Sequence, residues 1–393
     1  MRFLLPCLFL CCHAAAAGQN ALLPNQDEVA IDFLASYYTQ DGSFSPVTGG
    51  RGTEALTDLS NIVVVNLPLD SARSVGITVG ADLYSSASTD NIDNNPSSAS
   101  AEDLRVYANG SYTRKDLERG RIYSARVGFS REYDYLSLNG GISFTQLFNG
   151  TNSEITVGAQ AFFDSWEIIL PVELRTRNQT IFPDNGRQSF NGSITFSQVL
   201  NRRAQFSLTA DAVYMRGLLS TPFHRTFVDD PESGLRVAPE LLPDGRFKLP
   251  ISLRFNYFPG DRFVLRSYYR FYTDDWGIVG HTANLEVPIK FNPVFTAYPF
   301  VRFHTQSGSD YFAPFGAFTP RDEFRTSDYD LSALDSWKYG AGLRYAPING
   351  LAKGRVLRKS WVLKYLQLRT AYYTRDPDLR AFVISINLGV SLR

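Results

Sequence analysis

The chain has 393 residues, of which 44% are hydrophobic and 20% charged. Tyr and Phe number 21 and 29, against 2 Met and 3 Cys, a balance that suits strands better than helices. Basic and acidic residues, 39 of each, cancel to a net charge of +0. The basic excess that a nucleic-acid binder uses is missing, so no nucleic-acid partner is expected.

The first residues read as an export signal. Arg2 supplies the positive end, Phe3 to Leu10 the apolar stretch, and Ala14-Ala15-Ala16-Ala17 a small-residue cleavage site. Cleavage is expected after Ala17, giving residues 1–17 as signal peptide and 18–393 as the mature domain. Neither Cys11 nor Cys12 follows the small residue that lipoprotein processing needs. Cys7, Cys11 and Cys12 all fall in this leader. Thiolate metal sites and cysteine nucleophiles are thereby excluded from the mature chain. Downstream, the longest apolar run is Ile62-Val63-Val64-Val65, far short of the ~20 residues of a membrane-spanning helix.

Alternation at period two then recurs to the end of the chain. It predicts strands near 29–39, 60–67, 75–84, 104–113, 121–131, 135–146, 154–163, 189–199, 203–216, 249–257, 262–273, 277–290, 294–305, 335–345, 361–373 and 381–392. The last is the clearest. Phe382, Ile384, Ile386, Leu388, Val390 and Leu392 share one face, and Ser385, Asn387, Gly389 and Ser391 the other. The connections sort into short ones, such as 149–151, 201–203, 258–261 and 291–293, and long ones near 41–58, 85–103, 164–188, 217–248 and 306–334. Short turns at one end and long loops at the other are the asymmetry of outer-membrane barrels. The predicted fold is all-β: a single-chain antiparallel transmembrane β-barrel of about 16 strands (range 14–18), with both termini periplasmic. Trp166 to Arg175 reads either as strand or as loop, which sets that range. Aromatics at strand ends (Tyr37-Tyr38, Phe162-Phe163, Tyr268-Tyr269, Tyr298, Tyr372-Tyr373) are read as interfacial girdles. Only about ten residues separate the leader from the first strand. That leaves no room for the plug of an energy-coupled transporter.

Strand phase assigns the charges. Arg126, Arg254, Arg266, Arg270, Arg302 and Arg344 fall on the face opposite the apolar one and are the candidate lumen lining. Such a stripe either tunes anion passage or pairs with carboxylates in a filled barrel. Asp82, Glu132, Asp134, Asp164, Asp274, Asp275, Asp328 and Asp330 fall at strand ends or in loops on the long-loop side, with Asp310, Asp90 and Asp93 nearby. They form a candidate external acidic rim that caps turns, pairs with the arginines or captures a hard cation. Asp274, Asp275 and His281 suggest a hydrolytic site. The phase nevertheless puts His281 with Val279, Ala283, Leu285 and Val287 on the outward face. No Gly-rich phosphate loop or HExxH motif occurs.

Tyr269-Arg270-Phe271-Tyr272-Thr273-Asp274-Asp275-Trp276-Gly277-Ile278, followed by His281-Thr282, resembles a bacterial outer-membrane family catalogued as domain of unknown function 3570. So do Asp82 to Ser88, Ser130 to Tyr135, Tyr298 to Arg302 and Ser327 to Ser332. The resemblance spans roughly residue 28 to the C-terminus. It implies a single-domain barrel in the outer membrane of a Gram-negative bacterium, among outer-membrane lipids. It also implies a small surface or periplasmic lipoprotein partner and a link to extracytoplasmic redox or metal handling. It carries over no catalytic residue. The chain ends on Val390-Ser391-Leu392-Arg393 rather than on the usual aromatic. The expected function is a non-enzymatic channel or docking platform without cofactor. The alternatives are an outer-membrane hydrolase using His281 and an assembly partner for a surface lipoprotein.

Overall fold

The structure, a computed structural model, describes residues 28–86, 102–170, 174, 182, 184–356 and 359–393. The leader, Asp90 and Asp93 lie outside the described residues. An antiparallel meander runs through β1 (Val29–Gly42), β2 (Leu56–Pro68), β3 (Arg73–Ser86), β4 (Glu102–Asp116) and β5 (Arg121–Arg131). It continues through β6 (Tyr135–Phe148), β7 (Ser153–Trp166), β8 (Gly186–Asn201) and β9 (Ala204–Gly217). β10 (Arg225–Asp230) and β11 (Gly234–Pro239) then form a separate hairpin inside a loop. The wall resumes with β12 (Gly245–Tyr257) and β13 (Leu265–Asp274).

The next wall positions are composite. β14 (Val279–Glu286) continues into β15 (Ile289–Lys290), β16 (Phe295–Ala297) into β17 (Phe300–Gln306), and β18 (Leu334–Tyr345) into β19 (Ala352–Val356). Prolines explain the first two breaks. Pro288 and Pro299 have no N–H to give the ladder. The β14–β17 pairing stops at Glu286↔Phe300, and Val287 N–H donates to the Pro299 carbonyl at 3.0 Å. β20 (Lys359–Asp376) and β21 (Leu379–Leu392) complete the wall. β21 pairs back onto β1 from Val29↔Leu392 to Gly42↔Leu379. The result is a closed barrel of 16 wall strands. Closure matters because a sheet edge in lipid would leave a row of unsatisfied backbone groups. The charged last residue is used at this seam: Arg393 pairs with Glu28, and its N–H donates to the Ser360 carbonyl at 2.9 Å.

Each predicted strand is found in place, and β7 ends at Trp166. Both chain termini of the barrel lie at the end where the strands are joined by tight turns, for example at 69–72, 117–120, 149–152 and 202–203. The connections at the other end include the long ones, 43–55, 218–244 and 307–333. Three there are also tight: 132–134, 275–278 and 377–378.

Pairing register fixes which face is which. Tyr37, Leu59, Leu83 and Leu104 oppose one another across β1 to β4 and are all exposed. Further round, Phe129, Leu138 and Phe163 form a similar exposed row. In water such a belt would be an aggregation surface; in a bilayer it is the lipid-facing wall. The opposite face is concave. Arg369 on β20 reaches Glu286 on β14 at 3.1 Å, with β17 and β18 between them. Only side chains pointing to the inside of a curved wall converge in that way.

The aromatic doublets require a correction. Because side chains alternate, only one member of each faces out. Tyr37, Phe163, Tyr269 and Tyr372 are outward, whereas Tyr38, Phe162, Tyr268 and Tyr373 share the inward register. Tyr298 also turns inward, under Arg369. The outward girdle is built from pairs on neighbouring strands instead, such as Phe303–Trp337 at 4.6 Å near one rim and Phe295–Tyr345 at 4.7 Å near the other.

Candidate functional site

The inward wall holds the predicted arginines, and their surroundings divide them. Arg254 opposes Tyr268, Tyr268 opposes Asn284, and Asn284 opposes Arg302, on consecutive strands of the ring. Arg270 lies two residues along β13 from Tyr268 and opposes Thr282. The guanidinium groups of Arg254 and Arg270 lie over the rings of Tyr268 and Tyr272 at 5.3 and 5.4 Å. Arg344 lies over Tyr365 at 3.8 Å. Arg126, on β5, opposes Gly141, and its Nε stands 2.9 Å from where a Cβ of residue 141 would be. Glycine there leaves room for the guanidinium. Among the described residues, none of Arg126, Arg254, Arg270, Arg302 and Arg344 has a carboxylate within ion-pair distance. Arg266 differs: it shares Glu286 with Arg369, at 2.9 and 3.1 Å.

The acidic residues do not converge. Asp164 holds Arg187 at 2.6 Å, both nearly buried. Asp82 is 2% exposed on β3 and faces Arg105 at 4.0 Å. Asp274 accepts from Arg246 Nε at 3.0 Å and from the N–H groups of Trp276 and Ile278, so it closes the 275–278 turn. Asp275 accepts from the Phe247 N–H at 2.9 Å. Asp328 caps a short 3₁₀ turn by accepting from the Asp330 N–H at 2.9 Å. Glu132 accepts from Tyr84 at 2.9 Å. Asp134 is buried in the same 132–134 turn. These carboxylates stand at the long-loop end of the barrel, in several separate contacts; the Tyr84 hydroxyl joins Glu132 to Asp103, and Asp82 lies near Asp58. No group of three or more potential metal-ligating side chains occurs among the described residues. His281 points outward, and its Nδ1 lies 2.8 Å from the Tyr269 hydroxyl. On that wall it has aromatic neighbours and no carboxylate ion pair, so the geometry does not build a hydrolytic triad around it.

Sequence reasoning missed the assembly at the long-loop mouth. β9 is eight strands from β1 either way round the ring. Loops rooted at these opposite walls nevertheless touch. Arg225, which opens β10, donates to the Val47 carbonyl of the 43–55 loop. Phe227 packs against Gly49: a Cβ there would lie 2.6 Å from the ring, and the φ of +76° also favours glycine. The 307–333 loop joins both: it reaches the 43–55 loop through Phe44–Tyr329, stacked at 4.1 Å, and the 218–244 loop through Phe227–Phe315 at 4.2 Å and bridges Val228↔Phe318 and Leu241↔Arg325.

Val47, Leu219, Phe223, Val228 and Phe318 are buried in this assembly, each contributing about 1.5–3 kcal/mol by removal from water. Glu240, 2% exposed, accepts from the Thr221 N–H at 2.6 Å and from Thr326 Oγ1 at 2.5 Å.

The assembly is seated on inward-facing wall residues. Arg375 of β20, with its side chain 2% exposed, holds Asp330 at 2.6 Å and Glu54 at 3.2 Å. Gln40 of β1 donates to the Glu54 carbonyl at 2.9 Å. Gln306 of β17 donates to the Asp330 and Ser332 carbonyls at 2.9 Å each. Loops from opposite walls therefore bridge the mouth from within. Burial pushes the Glu54 carboxyl up to about 8, and the nearby Arg375 only partly offsets it. Burial raises the Asp330 carboxyl as well, and two carboxylates share one guanidinium here, so the arrangement favours a proton on the Glu54–Asp330 pair.

Comparison with known proteins finds similarity to several solved outer-membrane proteins. It is similar to a bacterial polysaccharide outer membrane secretin (TM-score 0.49, 9% identity, 93% of this chain and 99% of that one). It is also similar to the outer membrane protein opdK from Pseudomonas aeruginosa (TM-score 0.41, 8% identity, 92% and 99%). A third is Pseudomonas aeruginosa OccK2 (OpdF), solved in complex with glucuronate (TM-score 0.43, 10% identity, 92% and 96%). No curated protein sequence matches significantly. The family model described as "Protein of unknown function (DUF3570)" matches residues 78–381, most of the barrel, and the chain belongs to that family.

Proposed function

We propose that this barrel is a passive outer-membrane channel that favours small anions, with its tight-turn end in the periplasm. One observation carries the reading: Arg254, Arg270, Arg302 and Arg344 face the lumen without a carboxylate partner among the described residues. A guanidinium sealed in a dry interior costs several kcal/mol unless it is paired. Unpaired guanidinium groups along one wall therefore favour a wet lumen over a filled one. Charged side chains that line a pore set its ion preference. The mouth assembly narrows the path at the long-loop end. Short turns at the end that holds both termini support the periplasmic placement.

The test is reconstitution. Detergent-refolded protein should migrate anomalously on gels before boiling, as closed barrels do. In planar bilayers it should then give discrete conductance steps. A barrel that passes the gel test and stays electrically silent would overturn the channel reading.

A further inference from the structure

We infer that Arg254, Arg270 and Arg302 form one binding site for small organic polyanions, compounds with two or more carboxylate or phosphate groups. The inference deepens the channel reading and rests on it for access to the lumen. Arg254 and Arg302 stand three strands apart in one register row. At about 4.8 Å per strand, their backbones are roughly 14 Å apart along a concave wall, and their long side chains converge inward. Arg270 stands between them, one pair-step nearer the capped mouth. A monovalent ion meets one such group at a time. An anion with several acid groups meets two or three.

Asp211 on β9 lies within the field of Arg270 but beyond ion-pair distance, so it leaves the guanidinium donors available. Arg270 Nε is buried without a hydrogen-bond partner. Leaving such a donor unmet is costly, and a bound oxyanion or water removes the cost. The Tyr268 and Tyr272 rings support the guanidinium groups of Arg254 and Arg270, and a guanidinium presents its N–H fork in its own plane, where a carboxylate or phosphate can take it bidentately. Thr282 and Asn284 lie between the cations, adding neutral polar groups suited to hydroxyls or further acid oxygens. Thr282 Oγ1 lies 2.9 Å from His304 Nδ1, and His304 Nε2 lies 3.3 Å from Gln306. Gln306 in turn holds the 307–333 loop, so the site sits directly beneath the mouth assembly. Arg266 shows the contrast. It lies on the same strand and face, yet its guanidinium is already engaged by Glu286, which it shares with Arg369.

The test pairs recording with equilibrium binding. Citrate and pyrophosphate, each alone, should interrupt the chloride current at concentrations where acetate has no effect. Arg270→Gln and Arg302→Gln should each raise the half-blocking concentration at least about tenfold, the loss of ~1.4 kcal/mol of charge-assisted contact. Arg270→Lys should keep the charge yet weaken the block, because the fork is lost. Arg266→Gln, outside the row, should leave the block unchanged. Heat-modifiable migration checks that each variant folds.

Calorimetric titration of citrate into the refolded protein reads the site without conduction. Citrate binding that Arg270→Gln weakens at least about tenfold, in a silent barrel, upholds the site and overturns the channel. Conductance steps without block by either polyanion, and without binding heat, overturn the site and leave the channel. Block by one polyanion alone upholds the site and narrows its class.

Discussion

Two sectors of the inward wall use the same alternating pattern to opposite ends. On β2 to β8, inward carboxylates meet partners on their own or neighbouring strands. Asp58 accepts from Ser60 at 2.6 Å, Asp82 faces Arg105, and Asp164 holds Arg187. On β12 to β18, across the ring, Arg254, Arg270, Arg302 and Arg344 have no carboxylate in ion-pair distance among the described residues. Apart from Arg126 on β5, paired charge holds one wall together, and unpaired charge gives the facing wall a field. A solute between them would meet a transverse potential, basic on one side and closer to neutral on the other. The difference lies in placement, since an inward charge is neutralised where an opposite charge comes within reach, on the next strand as for Asp164 and Arg187 or across the curve of the wall as for Glu286 and Arg369.

This comparison can be broken most sharply by removing the unpaired set. The triple change Arg254→Gln, Arg270→Gln, Arg302→Gln should abolish anion preference in bilayer recordings while leaving the melting temperature close to the parent's. A large fall in stability with selectivity intact would put these arginines in the structural class instead. The acidic wall should behave the other way. Asp164→Asn strands the buried Arg187 and should cost about 3–5 kcal/mol, read as a lower denaturant midpoint, with selectivity unchanged.

A smaller effect is expected at the mouth. Glu54 has its carboxyl raised from 4.5 to about 8, chiefly by burial. The folded state therefore holds more protons than the unfolded state across that window, and stability should fall as pH rises through it. Hydrogen-exchange protection in the 43–55 loop, measured relative to the intrinsic rate at each pH, should fall between pH 5 and 8 in the parent and stay level in Glu54→Gln. Protection that is level or rises with pH in the parent would contradict the assignment. The smallest effect belongs to Arg393→Ala. That pair is 57% exposed at the arginine, so its loss should change stability by no more than about 1 kcal/mol.

The wall was legible in the sequence because a barrel strand repeats every two residues. One face must be apolar along its length, so Phe382 to Leu392 announce both strand and orientation. The same period placed Arg254, Arg270 and His281 on their observed faces. Whether an arginine was paired was not legible. Glu286 meets Arg369 across 83 residues of chain, a distance that local periodicity does not report. The mouth assembly was hidden for the same reason. Arg225 meets Val47 across 178 residues, and Arg375 meets Glu54 across 321. A signal was present nonetheless: Leu218, Leu219, Phe223, Phe227 and Val228 are too apolar for a segment left in water. Their density in a loop already asked for a partner. The aromatic doublets misled through the same periodicity, since adjacent residues on a strand cannot both face lipid.

The most direct test of the unpaired arginine wall is the reversal potential of the refolded protein in a planar bilayer under a KCl gradient. The account predicts a potential displaced toward the chloride equilibrium value, and loss of that displacement in the triple glutamine variant. A displacement toward the potassium value, or one that the triple variant leaves intact, would contradict it.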